Sequence, residues 1–232
     1  MTTRLPELSW GPAGATALRI LHSEAPSPAT TRELLALEQH LRDSFAEGIV
    51  EAVPGFQTLT VCFNPEVCSR VALATCIDTI RVDSLSLPAD RGKELELPVY
   101  YAPEVGIDLR TVADACGIAP EELIRTHTST VYHAYANGFA PGFCYLGDIP
   151  SQLAMPRLST PRRQVPAGSV AIADRQTAIY PSASPGGWHL LGRCPTPLFD
   201  PQASPPALIN VGDRVRFRAI EKAEYLALGG SI

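Results

Sequence analysis

Between His127 and Asp200 the chain gathers the side chains best suited to hold or move charge. His127 is followed directly by the hydroxyls of Thr128, Ser129 and Thr130, a grouping that suits proton transfer or substrate hydrogen bonding. From Thr128 to Phe199 there are five arginines (Arg157, Arg162, Arg163, Arg175, Arg193), two acids (Asp148, Asp174), and no lysine or glutamate. That is +3 inside a chain of net −5, which leaves −8 for the remainder. Guanidinium groups held by tight turns in an acidic protein suit a small anion. Arginine outnumbers lysine 17 to 2 throughout, however, so solvated loops explain the arginines almost as well.

The turns carry more information. Pro141-Gly142, Pro166-Ala167-Gly168 and Pro185-Gly186-Gly187 would each expose backbone N–H groups, and consecutive amides can form an anion-holding concavity. Arg157 or Arg162 could add a fork of donors, with Tyr145 and Trp188 as flat apolar walls. Ordinary turn chemistry with an aromatic packed on it accounts for the same residues equally well.

Other chemistries find less support. His127 and His133 would share a strand face but lie ~20 Å apart at ~3.3 Å per residue, too far for one metal. His189 has no carboxylate at ligand spacing, so no metal site is expected, and structural roles suit His133 and His189. No G-x-S-x-G elbow surrounds Ser169 or Ser184. Cys144 and Cys194 sit near turns, but inert thiols are the simpler account. None of the six cysteines forms a C-x-x-C pair, and neither phosphate-binding glycine signature occurs. A pI near 5.5 argues against nucleic acid or an anionic membrane as partner. The N-terminus lacks a secretory pattern and no 18-residue apolar run exists, so reduced thiols in a cytoplasm are expected.

The elements that must position these residues read as two domains, 1–88 and 89–232, with Ser84 to Gly92 as the boundary stretch. In the first, a strand over residues 15–21 precedes a helix capped by Thr30 or Thr31, with Leu34, Leu37, Leu41 and Phe45 inward. A hairpin about Pro54-Gly55 follows, then a helix opening at Asn64 or Pro65 with Val67, Val71, Ala74 and Ile77 or Ile80 inward. This order describes an α+β layer, an antiparallel sheet with helices on one face. In the second, a strand ELELPVYYA leads to a helix capped by Asp108 and stopped by Gly117, and a short helix runs from Pro120 to Arg125. Strand and turn then continue to GDRVRFRAI, with Val215, Phe217 and Ala219 on one face, and a short helix closes the chain. So many strands with few helices suggest a closed or nearly closed β-barrel.

GFAPGFCYLGD, PRRQVPAGSVAIADRQTAIYPSASPGGWHLLGRCPTPLFD and VGDRVRFRAI resemble the family of B-type 5-oxoprolinase subunits, also called KipI or allophanate hydrolase subunit 1. DLRTVADACGIAPEELIRTHT is similar to the segment that precedes them, and AVPGFQTLTV carries the likeness into the first domain. The resemblance implies a small N-terminal α+β domain followed by a cyclophilin-like β-barrel. It implies a homologous C-type subunit (allophanate hydrolase subunit 2-like) and an A-type subunit as partners, and ATP-dependent opening of 5-oxo-L-proline (pyroglutamate), a small anionic lactam, to glutamate. ATP would serve the complex at a site the sequence does not locate. In that reading His127 is the acid/base candidate, and Arg157, Arg162, Gln176, Pro185, Gly186, Gly187, Trp188 and Arg193 line the pocket with Pro141, Gly142 and Tyr145. The family also implies two alternatives, inhibition of a histidine kinase and a carboxyltransferase part of biotin-dependent urea carboxylase. Cys194 stands where the family usually has threonine in the Gly-Arg-Thr-Pro segment.

Overall fold

A computed structural model describes residues 8–81, 84–86 and 92–232. The chain divides into two compact units, and the expected boundary at residues 88–89 lies outside the described residues.

Four strands build the first unit: β1 (Leu8–Pro12), β2 (Ala17–His22), β3 (Ile49–Pro54) and β4 (Thr58–Phe63). They form an antiparallel sheet in the order β1-β2-β4-β3. Leu18, Ile20, Leu59, Val61 and Phe63 alternate onto one face, where they pack against α1 (Pro28–Ser44) and α2 (Arg70–Thr79). Strand β1 carries no strand signal in the sequence, because LSWGP breaks β-propensity with Gly and Pro, which an edge strand tolerates. The α1 cap is Ser27, whose Oγ accepts from the Thr30 N–H at 3.1 Å with Pro28 in the first turn. Thr30 and Thr31 lie buried inside the helix instead. Helix α2 starts at Arg70 behind a Ser69 cap, later than expected, so Val67 and Val71 face solvent and Leu73, Ala74 and Ile77 face inward.

The strands of the second unit are β5 (Glu94–Tyr100), β6 (Val131–Asn137), β7 (Cys144–Gly147), β8 (Arg162–Val165), β9 (Ser169–Ala173), β10 (Gln176–Ile179), β11 (Ser184–Gly186), β12 (His189–Arg193) and β13 (Arg214–Ile220). Seven of them close a barrel in the order β10-β7-β6-β13-β5-β12-β9, and only the β5–β13 pair is parallel. A separate ribbon pairs β8 with β11. Helices α3 (Leu109–Cys116), α4 (Pro120–Ser129) and α5 (Lys222–Ala227) complete the unit. Gly117 ends α3 at φ 69, the left-handed conformation of a helix stop. Helix α4 runs one turn past Arg125 and contains His127. On β13, Val215, Phe217 and Ile220 are buried whereas Ala219 is exposed.

All five residues of β9 are buried, and this sets the layout of the unit. Val170 and Ile172 point into the barrel core with Leu97, Val99, Leu146, Val215 and Phe217. Ala171 and Ala173 point outward and join Ala178, Phe143, Val165, Tyr180, Trp188 and Leu190 in a second cluster. The wall is thus apolar on both faces, a pattern that reads as a continuous apolar run rather than an alternation. The loop before α3 crosses β12 closely enough that a Cβ on Gly106 would overlap the Leu191 carbonyl, while Gly11 on β1 has open space around it. Gly106→Ala is therefore expected to destabilise the barrel by ~1–3 kcal/mol, and Gly11→Ala to leave stability within ~0.5 kcal/mol. Thermal unfolding followed by circular dichroism checks this, and equal midpoints would disprove the close crossing.

Candidate functional site

The second cluster opens into a cleft of about 160 Å³ lined by Phe139, Phe143, Tyr145, Arg157, Pro161, Tyr180, Gly186, Gly187 and Trp188. Period-two alternation builds it: Cys144 points into the barrel, so its neighbours Phe143 and Tyr145 point out. The same rule sends Ile179 inward and Tyr180 outward at the end of β10. Alanine at 171, 173 and 178 leaves room above the wall for these rings. Edge-to-face contacts lock them, with Phe143 5.4 Å from Tyr180 and 5.9 Å from Trp188 at 80° and 84°. Phe139 packs edge-on against Phe143 at 5.1 Å yet remains 60% exposed at the rim.

One guanidinium serves the cleft. Arg157 Cζ lies 5.9 Å from the centre of the Trp188 ring, and its Nε is 3.4 Å from Asp174 Oδ2. Its side chain is 57% exposed, so it is available to a ligand. Tyr145 and Tyr180 supply hydroxyls. Burial chiefly, with Tyr145 adding to it, pushes the Tyr180 phenol up against the pull of Arg157 and Arg162, so it acts as a neutral hydrogen-bonding group. Ring-sized volume, aromatic walls and one cation would suit a small flat molecule bearing a negative charge; a cavity of ~150 Å³ accepts benzene.

Of the residues expected from sequence, Tyr145, Arg157, Gly186, Gly187 and Trp188 line this cleft. Arg162 does not. Its Nη2 donates to Asp108 Oδ1 at 2.7 Å and its Nη1 to the Trp188 carbonyl at 3.1 Å. Asp108, expected as a helix cap, makes no side-chain cap; its Oδ2 accepts from the Leu190 N–H at 2.7 Å. The Asp108–Arg162 pair therefore clamps the backbone on either side of His189 and so fixes the Trp188 wall. Arg193 donates to the Ser231 carbonyl at 2.9 Å, and Gln176 opens β10 opposite Gly147; neither lines the cleft. Pro185, Pro141 and Gly142 also lie outside its lining, Gly142 at φ 83 being pressed against Leu198 and Phe199. The amide of Gly168, one of the expected anion-holding turns, donates to the Tyr180 carbonyl at 2.7 Å.

His127 lies elsewhere. It is 0% exposed, stacked on Phe217 at 4.8 Å, with Nδ1 2.8 Å from the Tyr101 hydroxyl and Nε2 3.1 Å from Thr177 Oγ1. Burial pushes its pKa down to about 3, so the imidazole is neutral. The hydroxyls of Thr128, Ser129 and Thr130 bond to carbonyls of their own helix end rather than converging with it. Burial likewise raises the thiols of Cys144 and Cys194, which disfavours their reactive form. Sequence reasoning missed Phe139, Phe143, Pro161 and Tyr180, although the aromatic spacing of Phe139, Phe143 and Tyr145 across a Pro-Gly turn was a usable signal. Among the described residues no three His, Cys, Asp or Glu side chains group to hold a metal ion, and no helix is long and apolar enough to cross a membrane.

The architecture is that of the carboxyltransferase-like barrel domains. The family described as carboxyltransferase domain, subdomain C and D, matches residues 8–209, and the chain belongs to it. It is 36% identical to the B-type subunit of 5-oxoprolinase from Bacillus subtilis strain 168, over 92% of this chain and 93% of that one. The crystal structure of TTHA0988 superposes with a TM-score of 0.77 at 36% identity over 88% of this chain, which spans only 40% of that longer protein. Kluyveromyces lactis urea carboxylase shares the fold, with a TM-score of 0.75 at 18% identity over 96% of this chain and 22% of its own.

The buried imidazole generates a pH prediction. An unfolded histidine titrates near ~6.5, and the folded His127 at about 3. Between those values the unfolded chain binds a proton that the native barrel does not. Stability thus falls as pH drops through that window, by up to ~1.4 kcal/mol per pH unit. His127→Gln should be less stable at neutral pH but should lose less between about pH 6.5 and pH 4.5, by ~2 kcal/mol. Urea unfolding at both pH values measures this, and parallel losses would contradict it.

Proposed function

We propose that this chain is a subunit of a 5-oxoprolinase assembly and that its cleft holds the lactam ring of 5-oxo-L-proline. The observation that carries the proposal is a ring-sized aromatic cleft with one available guanidinium, in a chain 36% identical to a B-type 5-oxoprolinase subunit. The rings of Tyr145, Tyr180 and Trp188 would take the faces of the lactam, and Arg157 its carboxylate in the forked geometry that guanidinium favours. Clamping of Trp188 by Asp108 and Arg162 would make this wall rigid before the ligand arrives, which lowers the ordering cost of binding.

The cleft lining includes no histidine, carboxylate or thiol placed to move a proton. In this reading the chain binds and orients the substrate, and its companions, a homologous C-type subunit and an A-type subunit, supply the chemistry. The cleft of about 160 Å³ is matched to a ring-sized ligand and no phosphate-binding glycine signature accompanies it, so in this reading the ATP required by such a reaction is handled by the companions. No step is assigned to ATP on this chain.

A second reading, a binder that inhibits a histidine kinase, draws on Phe139 and Phe199, which are 60% and 38% exposed and lie on adjoining loops of the barrel unit. Kinase autophosphorylation with and without the purified chain separates it from the first. For the first, Arg157→Gln in the reconstituted assembly should raise the KM for 5-oxo-L-proline about tenfold or more with kcat little changed. That is the size expected when one charge-assisted contact is lost. An unchanged KM would remove Arg157 from the site.

A further inference from the structure

Among the described residues only two other than glycine have left-handed backbone, Phe139 at φ 72 and Asp174 at φ 51. Both belong to the cleft: Phe139 lines it, and Asp174 holds its arginine. Such conformations are unusual for an aromatic and better tolerated by Asp or Asn, and they tend to persist where function maintains them.

The placement of Asp174 is tightly determined. It forms the turn between β9 and β10 with Arg175, and its N–H donates to the Met155 carbonyl, which brings the segment carrying Arg157 alongside. The carboxylate is thereby delivered to Arg157, but loosely. A single 3.4 Å contact through Nε joins two side chains that are 57% and 59% exposed. Close charge-assisted pairs lie at ~2.7–2.9 Å and guanidinium favours two parallel bonds to one carboxylate. Exposed pairs of the kind seen here contribute little. The Nη1–Nη2 edge has no partner among the described residues, and the group lies over the Trp188 ring.

We propose that Asp174 sets the affinity of the cleft by sharing Arg157 with the anionic group of the ligand. A carboxylate entering the cleft takes the forked edge of the guanidinium and draws it away from Asp174, whose charge opposes the newcomer throughout. The inference rests on the cleft being the site of a carboxylated lactam. It adds that the protein holds this ligand less tightly than its walls and arginine would allow, which favours release to a companion active site.

Asp174→Asn is the discriminating variant, because asparagine adopts the same left-handed backbone and keeps an acceptor but loses the charge. Binding to the full-length chain is measured by calorimetry with two probes, 5-oxo-L-proline and the uncharged 2-pyrrolidinone. The expected result is a Kd for 5-oxo-L-proline lowered about three- to fivefold and an unchanged Kd for 2-pyrrolidinone. The gain should vanish when Arg157→Gln is added. Wild-type binding of both probes with no gain in the variant overturns the sharing while leaving the cleft assignment intact; so does an equal gain for both probes, which would be an effect of shape. Failure of the wild-type chain to bind either probe overturns the cleft assignment and the sharing with it. Should Asp174→Asn melt early, Asp174→Gly keeps the backbone conformation and takes the same test.

Discussion

A barrel wall that is apolar on both faces governs the layout of the second unit. Strand β9 and its neighbour β10 must be covered inside by the core and outside by something else. The outside cover is Val165 of the β8–β11 ribbon, Trp188 and Leu190, with the rings of Phe143, Tyr145 and Tyr180 that the wall strands themselves carry outward. Because the outward residues are Ala171, Ala173 and Ala178, the cover cannot close flat on the wall without losing contact. Large rings fill most of the gap, and what they leave is the cleft. The depression is thus a consequence of small outward residues on the wall set among large outward rings.

Electrostatics in this unit are divided by the same wall. Inside, the side chain that touches both Thr177 and Phe217 is an imidazole kept neutral by burial, which is what a low-dielectric interior demands of a base whose hydrogen-bond partners are uncharged hydroxyls. Outside, the arginines have different uses according to their partners. Arg162 is paired, half-buried and committed to backbone geometry; Arg157 is loosely paired and exposed. A guanidinium with a short contact to a carboxylate and a second to a carbonyl is structural cement, whereas one with a long single contact keeps capacity for a ligand.

Much of the architecture was legible from local pattern. Alternation on β2, β4 and β13, the Gly117 stop and the Pro54-Gly55 turn each follow from rules that act over a few residues. The misses also have physical causes. Val67 and Val71 read as core because apolar residues at helical spacing normally are, but α2 begins only after Ser69 and turns them outward. His127 read as the end of an element next to hydroxyls, a pattern shared by active sites and by helix ends whose hydroxyls satisfy their own carbonyls.

Read residue by residue, the chain specified the kinds of groups present and their local geometry: turns rich in Pro and Gly, many arginines with almost no lysine, an α+β layer ahead of a β-rich region. Which arginine is committed to the backbone and which is only loosely paired emerges only on folding. Asp108 lies 54 positions from Arg162, and Asp174 lies 17 from Arg157, and no local rule couples either pair. Barrel closure sets those distances, because it puts β12 beside β9 and carries the loops at their ends to a common edge. Ion pairing depends on separation in space, and that is a property of the closed sheet rather than of the order of residues along the chain.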